Sequence, residues 1–282
     1  MAGIFAPRLL AGRAALITGG SSGINRRMAE RFAEHGAKVA VVSRDAGRAA
    51  AAAEAMNDAG ADAMGIAADV RDMPSLEAAC AEASGRFGPL DIVVAGAAGN
   101  FVAPALGMSS NGFRTVVDID LAGTFNTLRA AHAHMRKPGA TALAVSAVQA
   151  QMPTAAQAHV CAAKAGVEML MRTLAVEWAA DGIRSLAIAP GPVEGTEGMR
   201  RLAPGGQAGL ERLLAGIPAG RQAGLDEIAD LALFLVSGAA DYINGTVIHI
   251  DGGFSNLGSR DFGALLTDAH RAAAAVGSRQ PA

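Results

Sequence analysis

A single lysine stands alone in a long stretch of uncharged residues. Between Pro138 and Val167, Lys164 is the only residue with a formal charge, and its neighbours are Ala, Cys, Val and Met. An unpaired ammonium among apolar side chains costs several kcal/mol, so this lysine needs an acidic partner or a polar cavity. A buried cation beside an acidic group can activate solvent for chemistry. The alternative is a lysine at a helix edge that carries its charge to solvent.

A glycine-rich turn near the N-terminus has the pattern of a phosphate-binding site. The apolar run Ala14–Thr18 leads directly into residues 19–25, with the sequence GGSSGIN, and a helical pattern follows. Glycine lets the backbone approach a pyrophosphate, and the helix N-terminus offers free N–H groups with a favourable dipole. Such turns also occur for steric reasons alone, but the position after the first strand favours nucleotide binding. The predicted cofactor contacts in this turn are Gly19, Ser21, Ser22, Gly23 and Ile24.

The end of the second predicted strand indicates which dinucleotide is bound. In NAD-binding folds an acidic residue at this place accepts a hydrogen bond from the ribose 2′-OH. Here the strand ends in Ser43 and is followed by Arg44, whose guanidinium can pair with a 2′-phosphate. The alternative is a solvated turn formed by Arg44 and Asp45. We therefore expect NADP(H) as the cofactor.

Seven short apolar runs alternate with longer helical patterns along the 282 residues. This alternation is typical of βαβ units with a parallel sheet, and the continuous apolar runs predict strands buried on both faces. We predict an α/β fold: a single doubly wound Rossmann-type domain over residues 1–255, with a seven-stranded parallel sheet and helices on both faces. The predicted strands are Ala14–Thr18, Lys38–Ser43, Ala63–Ala68, Asp91–Ala95, Ala142–Ser146, Ser185–Ala189 and Thr246–Ile250. The predicted helices lie near residues 23–35, 46–58, 75–86, 110–135, 158–180 and 225–237.

Two segments of the chain are predicted to differ from this regular pattern. Residues 191–224 carry many Gly and Pro residues, so we expect them to form a substrate loop over the mouth of the site. Residues 256–282 form an Ala-rich C-terminal tail.

Composition and charge argue against several classes of function. A formal net charge of −2 gives no field for holding nucleic acid or an anionic membrane surface. Cys80 and Cys161 lie far apart, and neither has the spacing of metal ligands, so we expect neither a disulfide framework nor a metal. The uncharged stretches are interrupted by Gly, Pro and polar residues, and the N-terminus lacks a signal-peptide pattern. We expect a soluble protein.

The order and spacing of these features resemble the short-chain dehydrogenase/reductase family over roughly residues 14–253. The first turn has the family's Thr-Gly-x-x-x-Gly-x-Gly spacing, except that Asn25 replaces the third glycine, which normally keeps the first helix close to the sheet. The resemblance implies further cofactor contacts, to the adenine, along a strand end and to the nicotinamide carboxamide. These contacts would come from Asp69, Val70, Ala97, Pro190, Gly191 and Val193.

The family's usual catalytic tyrosine is missing from this chain. Family members carry Tyr-x-x-x-Lys, and the tyrosine acts as the acid while the lysine lowers its pKa. Counting back from Lys164 places Val160 at the tyrosine position, and Ala147 stands where the family carries a serine. The only tyrosine in the sequence is Tyr242. In the family the lysine also binds the hydroxyls of the nicotinamide ribose, and this role survives the loss of the tyrosine.

Three segments resemble the 2,4-dienoyl-CoA reductases of this family, particularly the peroxisomal type. They are residues 97–101 (AAGNF), 117–126 (VDIDLAGTFN) and 190–202 (PGPVEGTEGMRRL). His159 lies five residues before Lys164 with no tyrosine between them, which is also similar. Because this subgroup likewise departs from Tyr-x-x-x-Lys, the resemblance accounts for the missing tyrosine.

The resemblance implies a set of catalytic and substrate-binding residues. Asn100 would donate its amide to the thioester carbonyl of an acyl-CoA, and Asp120 would work with Lys164 through an ordered water that supplies the proton. Phe101 would line the substrate pocket, and Arg200 would meet the phosphates of coenzyme A. The resemblance also implies a homotetramer packed through the helices near 110–135 and 158–180.

Each of these roles has a structural alternative. Asn100 can cap a turn, and Asp120 and Lys164 can form an ion pair that does no chemistry. Phe101 can be plain core packing, and Arg200 can lie on a solvated helix face.

The sequence therefore predicts NADPH-dependent reduction of 2,4-dienoyl-CoA thioesters in the degradation of unsaturated fatty acids. One rival is the reduction of another conjugated thioester, such as a 2-enoyl-CoA. A rival of another class is a non-catalytic NADP(H)-binding scaffold. The sequence ends in Arg-Gln-Pro-Ala rather than in the peroxisomal address Ser-Lys-Leu, so we expect a cytoplasmic location.

Overall fold

Seven parallel strands form one open sheet in the computed structural model, which describes residues 4–202 and 206–257 but not the side chains of residues 200–202, 206 and 207. The strand order is β3-β2-β1-β4-β5-β6-β7, so the chain winds outward from β1 in one direction and then from β4 in the other. The strands are β1 (Ala14–Thr18), β2 (Lys38–Ser43), β3 (Asp62–Ala67), β4 (Ile92–Ala95), β5 (Thr141–Val145), β6 (Arg184–Pro190) and β7 (Val247–Ile250).

The helices pack on both faces of this sheet. Since successive side chains of a strand point to opposite faces, Ile17 of β1 joins one apolar cluster while its neighbour Leu16 joins the other. The first apolar cluster includes Phe32 and Leu233, and the second includes Leu128. The helices are α1 (Gly23–Glu34), α2 (Ala46–Asp58), α3 (Met73–Phe87), α4 (Ser110–Val117), α5 (Gly123–Ala131), α6 (Ala158–Glu177), α7 (Glu197–Leu202), α8 (Gly206–Leu214) and α9 (Leu225–Val236). Helices α1, α2 and α9 cover one face, and α3, α5 and α6 cover the other.

The predicted doubly wound α/β fold is confirmed, with strand and helix boundaries that differ by up to three residues at most ends. The expectation that every strand is buried on both faces is wrong for β3 and β7, whose residues are partly exposed. These two strands form the edges of the sheet, where a strand has a neighbouring strand on one side only.

The long helix predicted near residues 110–135 is interrupted. A turn of π-helix, Asp118–Ala122, separates α4 from α5, and a turn of 3₁₀-helix over His132–His134 follows α5. Thr124 donates its hydroxyl to the backbone carbonyl of Asp120 at 2.6 Å. Bonds of this kind between a threonine and the carbonyl one turn earlier perturb a helix. An inserted π turn is common at functional sites.

The two ends of the predicted substrate loop lie side by side, next to the end of β6. Val193 and Ala223 form a parallel β-bridge, the Ala223 N–H donates to the Pro192 carbonyl at 3.0 Å, and the Glu194 N–H donates to the Ala223 carbonyl at 3.0 Å. Two short helices, α7 and α8, lie within the loop. Its role in covering a substrate stays a prediction.

The two cysteines are unpaired, and Cys80 is fully buried. Burial raises the pKa of the Cys80 thiol to about 12, so this group is not a nucleophile at neutral pH. None of the described helices is long and apolar enough to cross a lipid bilayer. Most of the predicted tail, from residue 258 onward, lies outside the described residues, and the division at residue 255 stays a prediction.

We predict that Glu227 stabilises the fold in a pH-dependent way. Its carboxylate accepts hydrogen bonds from Arg221 at 2.6 and 2.8 Å and from the Gly224 N–H at 2.9 Å, at the start of α9. The Arg221 guanidinium and then this N–H lower the pKa of Glu227 from 4.5 to about 2. The stabilisation is therefore complete above pH 4.5 and is lost as the pH falls towards 2. Because the group is half exposed, E227Q should lower the free energy of unfolding at neutral pH by only about 0.5–1 kcal/mol.

Urea unfolding between neutral pH and pH 3 measures this effect. The difference between E227Q and the unsubstituted protein should shrink as the pH falls. E54Q, at an exposed position of α2, serves as the control and should show no such trend. A difference that stays constant with pH would contradict the prediction.

Candidate active site

The predicted site residues lie together at one edge of the sheet. The carboxyl ends of parallel strands share an edge, and ligands of open α/β sheets bind there. Gly19 follows β1, Arg44 follows β2, Asn100 follows β4 and Pro190 ends β6. Lys164 reaches the same edge from α6, because its ammonium donates to the carbonyl of the last residue of β5. The sheet topology, together with the bond from Lys164 to β5, therefore brings these residues to one crevice.

The turn after β1 is open and shaped to receive an anion. Gly19 and Gly23 have φ angles of +70° and +56°, in the left-handed region that favours glycine. Apart from its chain neighbours and the backbone of its own helix, no described atom lies within 4 Å of the place where a Cβ of Gly23 would be, so the turn has free space there. Ser22 begins α1 without a side-chain cap, and the first turn of α1 holds no acidic residue. The free N–H groups of this helix start fit a pyrophosphate.

The expected adenosine end of the crevice holds two arginines, Arg44 and Arg71. Ser21 donates its hydroxyl to Ser43 at 3.1 Å, beside the exposed Arg44. Asp69 binds the guanidinium of Arg71 through both carboxylate oxygens, with an Nη2–Oδ2 distance of 2.6 Å. This contact and, more weakly, Arg44 lower the pKa of Asp69. Arg71 was missed at the sequence level, although it lies only two residues after Asp69.

The expected nicotinamide end of the crevice is formed by the backbone after β6, which packs closely against the end of β7. The Gly191 N–H donates to the Ile250 carbonyl at 3.0 Å, and a Cβ on Gly191 would lie 2.7 Å from the Cα of Asp251. Val193 is buried where the substrate loop begins. At the neighbouring predicted contact, Val70, the carbonyl accepts a hydrogen bond from the Asn126 amide at 3.0 Å.

The centre of the crevice holds a buried ion pair between Asp120 and Lys164. The Lys164 ammonium lies 3.2 Å from Oδ2 of Asp120, and the two residues are 6% and 1% exposed. The ammonium also donates to the Val145 carbonyl at 2.9 Å, and the Gly99 N–H donates to Oδ1 of Asp120 at 2.7 Å. Each buried charge is therefore met by its partner and by one backbone group. An ammonium has three N–H donors, so one remains beyond these two contacts with described residues.

The π turn places Asp120 opposite Lys164. On one side, Gly123 approaches Val70 so closely that a Cβ would lie 2.6 Å from its side chain. On the other side, Leu121 fills the space over Gly166 of α6, where a Cβ would lie 2.8 Å from the leucine. Both glycines therefore allow the π turn to pack closely between α6 and the turn after β3.

Asn100 and Phe101 follow Gly99 in the turn after β4. Asn100 is half-buried, and the Gly99 N–H beside it binds Asp120, so the turn is joined to the ion pair. Gln157 donates its amide to the Phe101 carbonyl at 2.8 Å, and the rings of Phe101 and His159 pack edge to face with centroids 4.4 Å apart. These are packing contacts with α6, so the substrate-pocket role of Phe101 stays a prediction. The side chain of Arg200 lies outside the described residues.

A second buried carboxylate on α6 was missed at the sequence level. Glu168 is 3% exposed and accepts hydrogen bonds from the Ser146 hydroxyl at 3.0 Å and the Gln151 amide at 2.9 Å. Arg172 lies 3.6 Å from the same carboxylate. Glu168 therefore anchors the start of the loop between β5 and α6. Its spacing of four residues from Lys164, which places both on one helix face, was the available signal.

No tyrosine reaches this edge of the sheet. Val160, at the position expected for tyrosine, is buried on α6. Tyr242, the only tyrosine of the chain, is fully exposed and lies just before β7, at the opposite edge. The site thus offers an ammonium, a carboxylate and an amide, but no phenol.

Comparisons with known proteins agree with this architecture. The family model for enoyl-(acyl carrier protein) reductase matches residues 19–255. The peroxisomal 2,4-dienoyl-CoA reductase of Saccharomyces cerevisiae, named (3E)-enoyl-CoA-producing, is 41% identical over 261 residues, which cover 91% of this chain and 89% of the relative. A D-threitol dehydrogenase of Mycolicibacterium smegmatis is 39% identical over 250 residues, which cover 87% of this chain and 94% of the relative.

A solved structure shows the same fold. The gluconate 5-dehydrogenase of Burkholderia cenocepacia, in complex with NADP and tartrate, matches with a TM-score of 0.83 and 32% identity, over 88% of this chain and 98% of that one. The chain belongs to the short-chain dehydrogenase/reductase family of oxidoreductases, whose fold binds a nicotinamide cofactor. The family resemblance seen in the sequence is confirmed.

We predict strong coupling between Asp120 and Lys164 in the stability of the protein. Removing one charge of a buried pair leaves the other uncompensated and costs about 3–5 kcal/mol, whereas removing both costs much less. D120N and K164M should each lower the free energy of unfolding by such an amount, and the double variant should lose less than either. Urea unfolding measures the free energy of unfolding of all four proteins: the unsubstituted chain, D120N, K164M and the double variant.

The exposed pair Arg86–Asp62, with an Nη2–Oδ1 distance of 2.7 Å, is the matched control. Its double-mutant cycle should show a coupling below about 1 kcal/mol. Purely additive losses for D120N and K164M would contradict the prediction.

Proposed function

We propose that this chain is an NADPH-dependent reductase of 2,4-dienoyl-CoA thioesters in the degradation of unsaturated fatty acids. The observation that carries the proposal is the buried Asp120–Lys164 pair in a site without tyrosine. Reduction of a ketone makes an alkoxide, which needs a proton donor at oxygen. Reduction of a conjugated thioester makes no alkoxide, and its proton goes to carbon. Water held by the pair can supply that proton.

The chemistry can be assigned to side chains of this site. When bound, the reduced nicotinamide supplies a hydride to the far carbon of the diene. Negative charge then develops on the thioester oxygen, where the Asn100 amide stabilises it as a hydrogen-bond donor. Asp120 and the remaining N–H of Lys164 orient a water that protonates the dienolate at carbon, and the hydroxide that is left takes a proton from bulk solvent. One hydride and one proton are added, and the product is an enoyl-CoA thioester.

The relatives include both 2,4-dienoyl-CoA reductases and an alcohol dehydrogenase, and the missing tyrosine favours the first reaction for this chain. The yeast relative is named as a 2,4-dienoyl-CoA reductase, whereas the mycobacterial one is named as a D-threitol dehydrogenase. An alcohol dehydrogenase of the family's usual kind takes the hydroxyl proton with tyrosine, and this chain has Val160 at that position. A 2-enoyl-CoA reductase and a non-catalytic cofactor-binding scaffold are the remaining rivals.

We also propose the partners and location of the protein. Phe125 of α5 and Met169 and Val176 of α6 are exposed apolar side chains, which supports a homotetramer packed through these helices. Sedimentation would give the assembly mass. The contact of Arg200 with an acyl-CoA and the cytoplasmic location remain proposals, and cell fractionation tests the latter.

The substrate assay separates the rivals. NADPH oxidation should be rapid with a 2,4-dienoyl-CoA, slow with a 2-enoyl-CoA and absent without a thioester, and threitol should not reduce NADP⁺. D120N/K164M should stay inactive although its stability is largely restored. Recovery of activity in this double variant would show that the pair is only structural, and binding of NADPH without any turnover would identify a scaffold.

We predict that Arg44 selects NADPH over NADH. R44A should raise the Kd for NADPH about tenfold to a hundredfold, because a charge-assisted bond to the 2′-phosphate contributes about 1.5–3 kcal/mol. The Kd for NADH should change less than about twofold, since NADH lacks this phosphate and the rest of its site is unaltered. Fluorescence titration measures both, with R86A at the opposite edge as the control. Equal weakening of the two cofactors would contradict the assignment.

A further inference from the structure

Asn25, the residue that departs from the family's glycine motif, forms a bond across the cofactor crevice. It lies in the first turn of α1, and its amide Nδ2 donates to the Gly96 carbonyl at 2.6 Å. Gly96 directly follows β4 and is buried. Because the acceptor is a carbonyl, the amide must present its nitrogen there. The hydrogen bond thus ties the phosphate-binding helix to the turn that carries Asn100.

A second hydrogen bond, to the end of β1, also fixes the Gly96 peptide. The Gly96 N–H donates to the hydroxyl of Thr18 at 3.2 Å, and Thr18 is buried at the end of β1. The next residue of the chain, Gly19, packs on Ala97 so closely that a Cβ would lie 2.9 Å from the Ala97 Cα. The segment that receives the pyrophosphate therefore contacts the β4 turn through Thr18, Gly19 and Asn25.

The same turn leads directly to the catalytic pair. Three residues after Gly96, the Gly99 N–H binds Oδ1 of Asp120 at 2.7 Å, and Asn100 follows. A displacement of the Gly96 peptide would be passed through this short segment to both groups. Positioning errors of this kind lower turnover even when the reacting groups are unchanged.

Stability alone does not account for asparagine at this position. Oδ1 of Asn25 is buried and has no hydrogen-bond partner among the described residues. A buried unpaired acceptor costs about 1–3 kcal/mol, which offsets the bond made by Nδ2. Asparagine also excludes any side chain at position 96, because a Cβ there would lie within 2.6 Å of Nδ2 and closer still to Oδ1.

We propose that Asn25 is a positioning residue: its bond to the Gly96 carbonyl makes the phosphate-binding helix and the turn bearing Gly99 and Asn100 move as one unit. The effect on turnover rests on the proposed dienoyl-CoA reduction. The effect on cofactor affinity does not, because the coupled segments both line the cofactor crevice.

A double-mutant cycle on Asn25 and Gly96 tests the proposal. N25G removes the hydrogen bond, and G96A removes it because the added methyl displaces the amide. Each should lower kcat about tenfold and raise the Kd for NADPH about fivefold, with the acyl-CoA KM changed less than twofold. Because both changes remove the same bond, N25G/G96A should match N25G. A purely space-filling role for Asn25 would instead return the double variant to full activity and affinity, and this outcome overturns the proposal.

N25D keeps the proposal testable where G96A is unstable. Aspartate has the shape of asparagine but turns an acceptor towards the Gly96 carbonyl, so kcat should fall at least as far as in N25G. Full activity and unchanged NADPH affinity in N25D would overturn the proposal. As the control, Asn57 makes comparable amide bonds with Ala63 at 2.7 and 3.1 Å near the opposite edge. N57D should lower the melting temperature and leave kcat and Kd unchanged.

If no thioester is reduced, the NADPH titrations still decide the role of Asn25. If N25G and G96A each weaken NADPH binding and the double variant binds no more weakly than N25G, the positioning role is supported even when the proposed reaction is wrong. Unchanged affinity in N25G, N25D and G96A rejects it, whatever the substrate proves to be.

Discussion

The structure depends on one constraint, which is that the ammonium of Lys164 lies in the interior and must be neutralised there. Desolvation of such a charge costs several kcal/mol, and only a close carboxylate with further hydrogen bonds offsets it. Asp120 provides the carboxylate, the Val145 carbonyl accepts a hydrogen bond from the ammonium, and the Gly99 N–H donates to Asp120. These contacts bring the end of β5, the turn after β4 and the π turn to a single point. The geometry of the crevice follows from that requirement.

Helix α6 organises the site because it carries two buried charges on successive turns. Lys164 draws in the turn after β4 through Asp120, and Glu168 holds the loop after β5 through Ser146 and Gln151. Charges of opposite sign on one helix face each fix a different loop. This arrangement supplies rigidity on the side of the crevice where the family usually has its tyrosine.

Much of the fold could be predicted because it is encoded in local patterns. The alternation of apolar runs with helical segments indicates the parallel sheet, and the glycine turn after β1 indicates the edge where the site lies. The interruption at Asp118–Ala122 could not be predicted, because one inserted residue hardly changes the helical pattern, and the close approaches at Gly123 and Gly166 appear only in the folded structure. The partial exposure of β3 and β7 follows from their positions at the edges of the sheet, and the apolar runs of the sequence do not indicate the order of the strands.

The candidate site could be predicted at the level of residues but not of contacts. Lys164 was identifiable as a lone charge, whereas the carbonyl of Val145 and the N–H of Gly99 have no sequence signal because every residue carries them. Arg71 and Glu168 were missed although each lies within four residues of a predicted site residue, because charged side chains of these types usually lie on the surface, and their contacts with Asp69 and Ser146 are seen only in the structure. The catalytic and binding roles themselves stay predictions.

The bridge between Val193 and Ala223 has a consequence for how such enzymes diversify. The intervening chain starts and finishes at neighbouring points, so its length can vary without moving β6 or the turn that follows it. Lengthening a loop whose ends are held together costs little free energy, because each doubling of the loop length costs only about 0.6 kcal/mol of chain entropy. Under the proposed function, selectivity among acyl groups of different size can therefore be remodelled by insertion or deletion between Val193 and Ala223, while the strands that carry the site residues keep their positions.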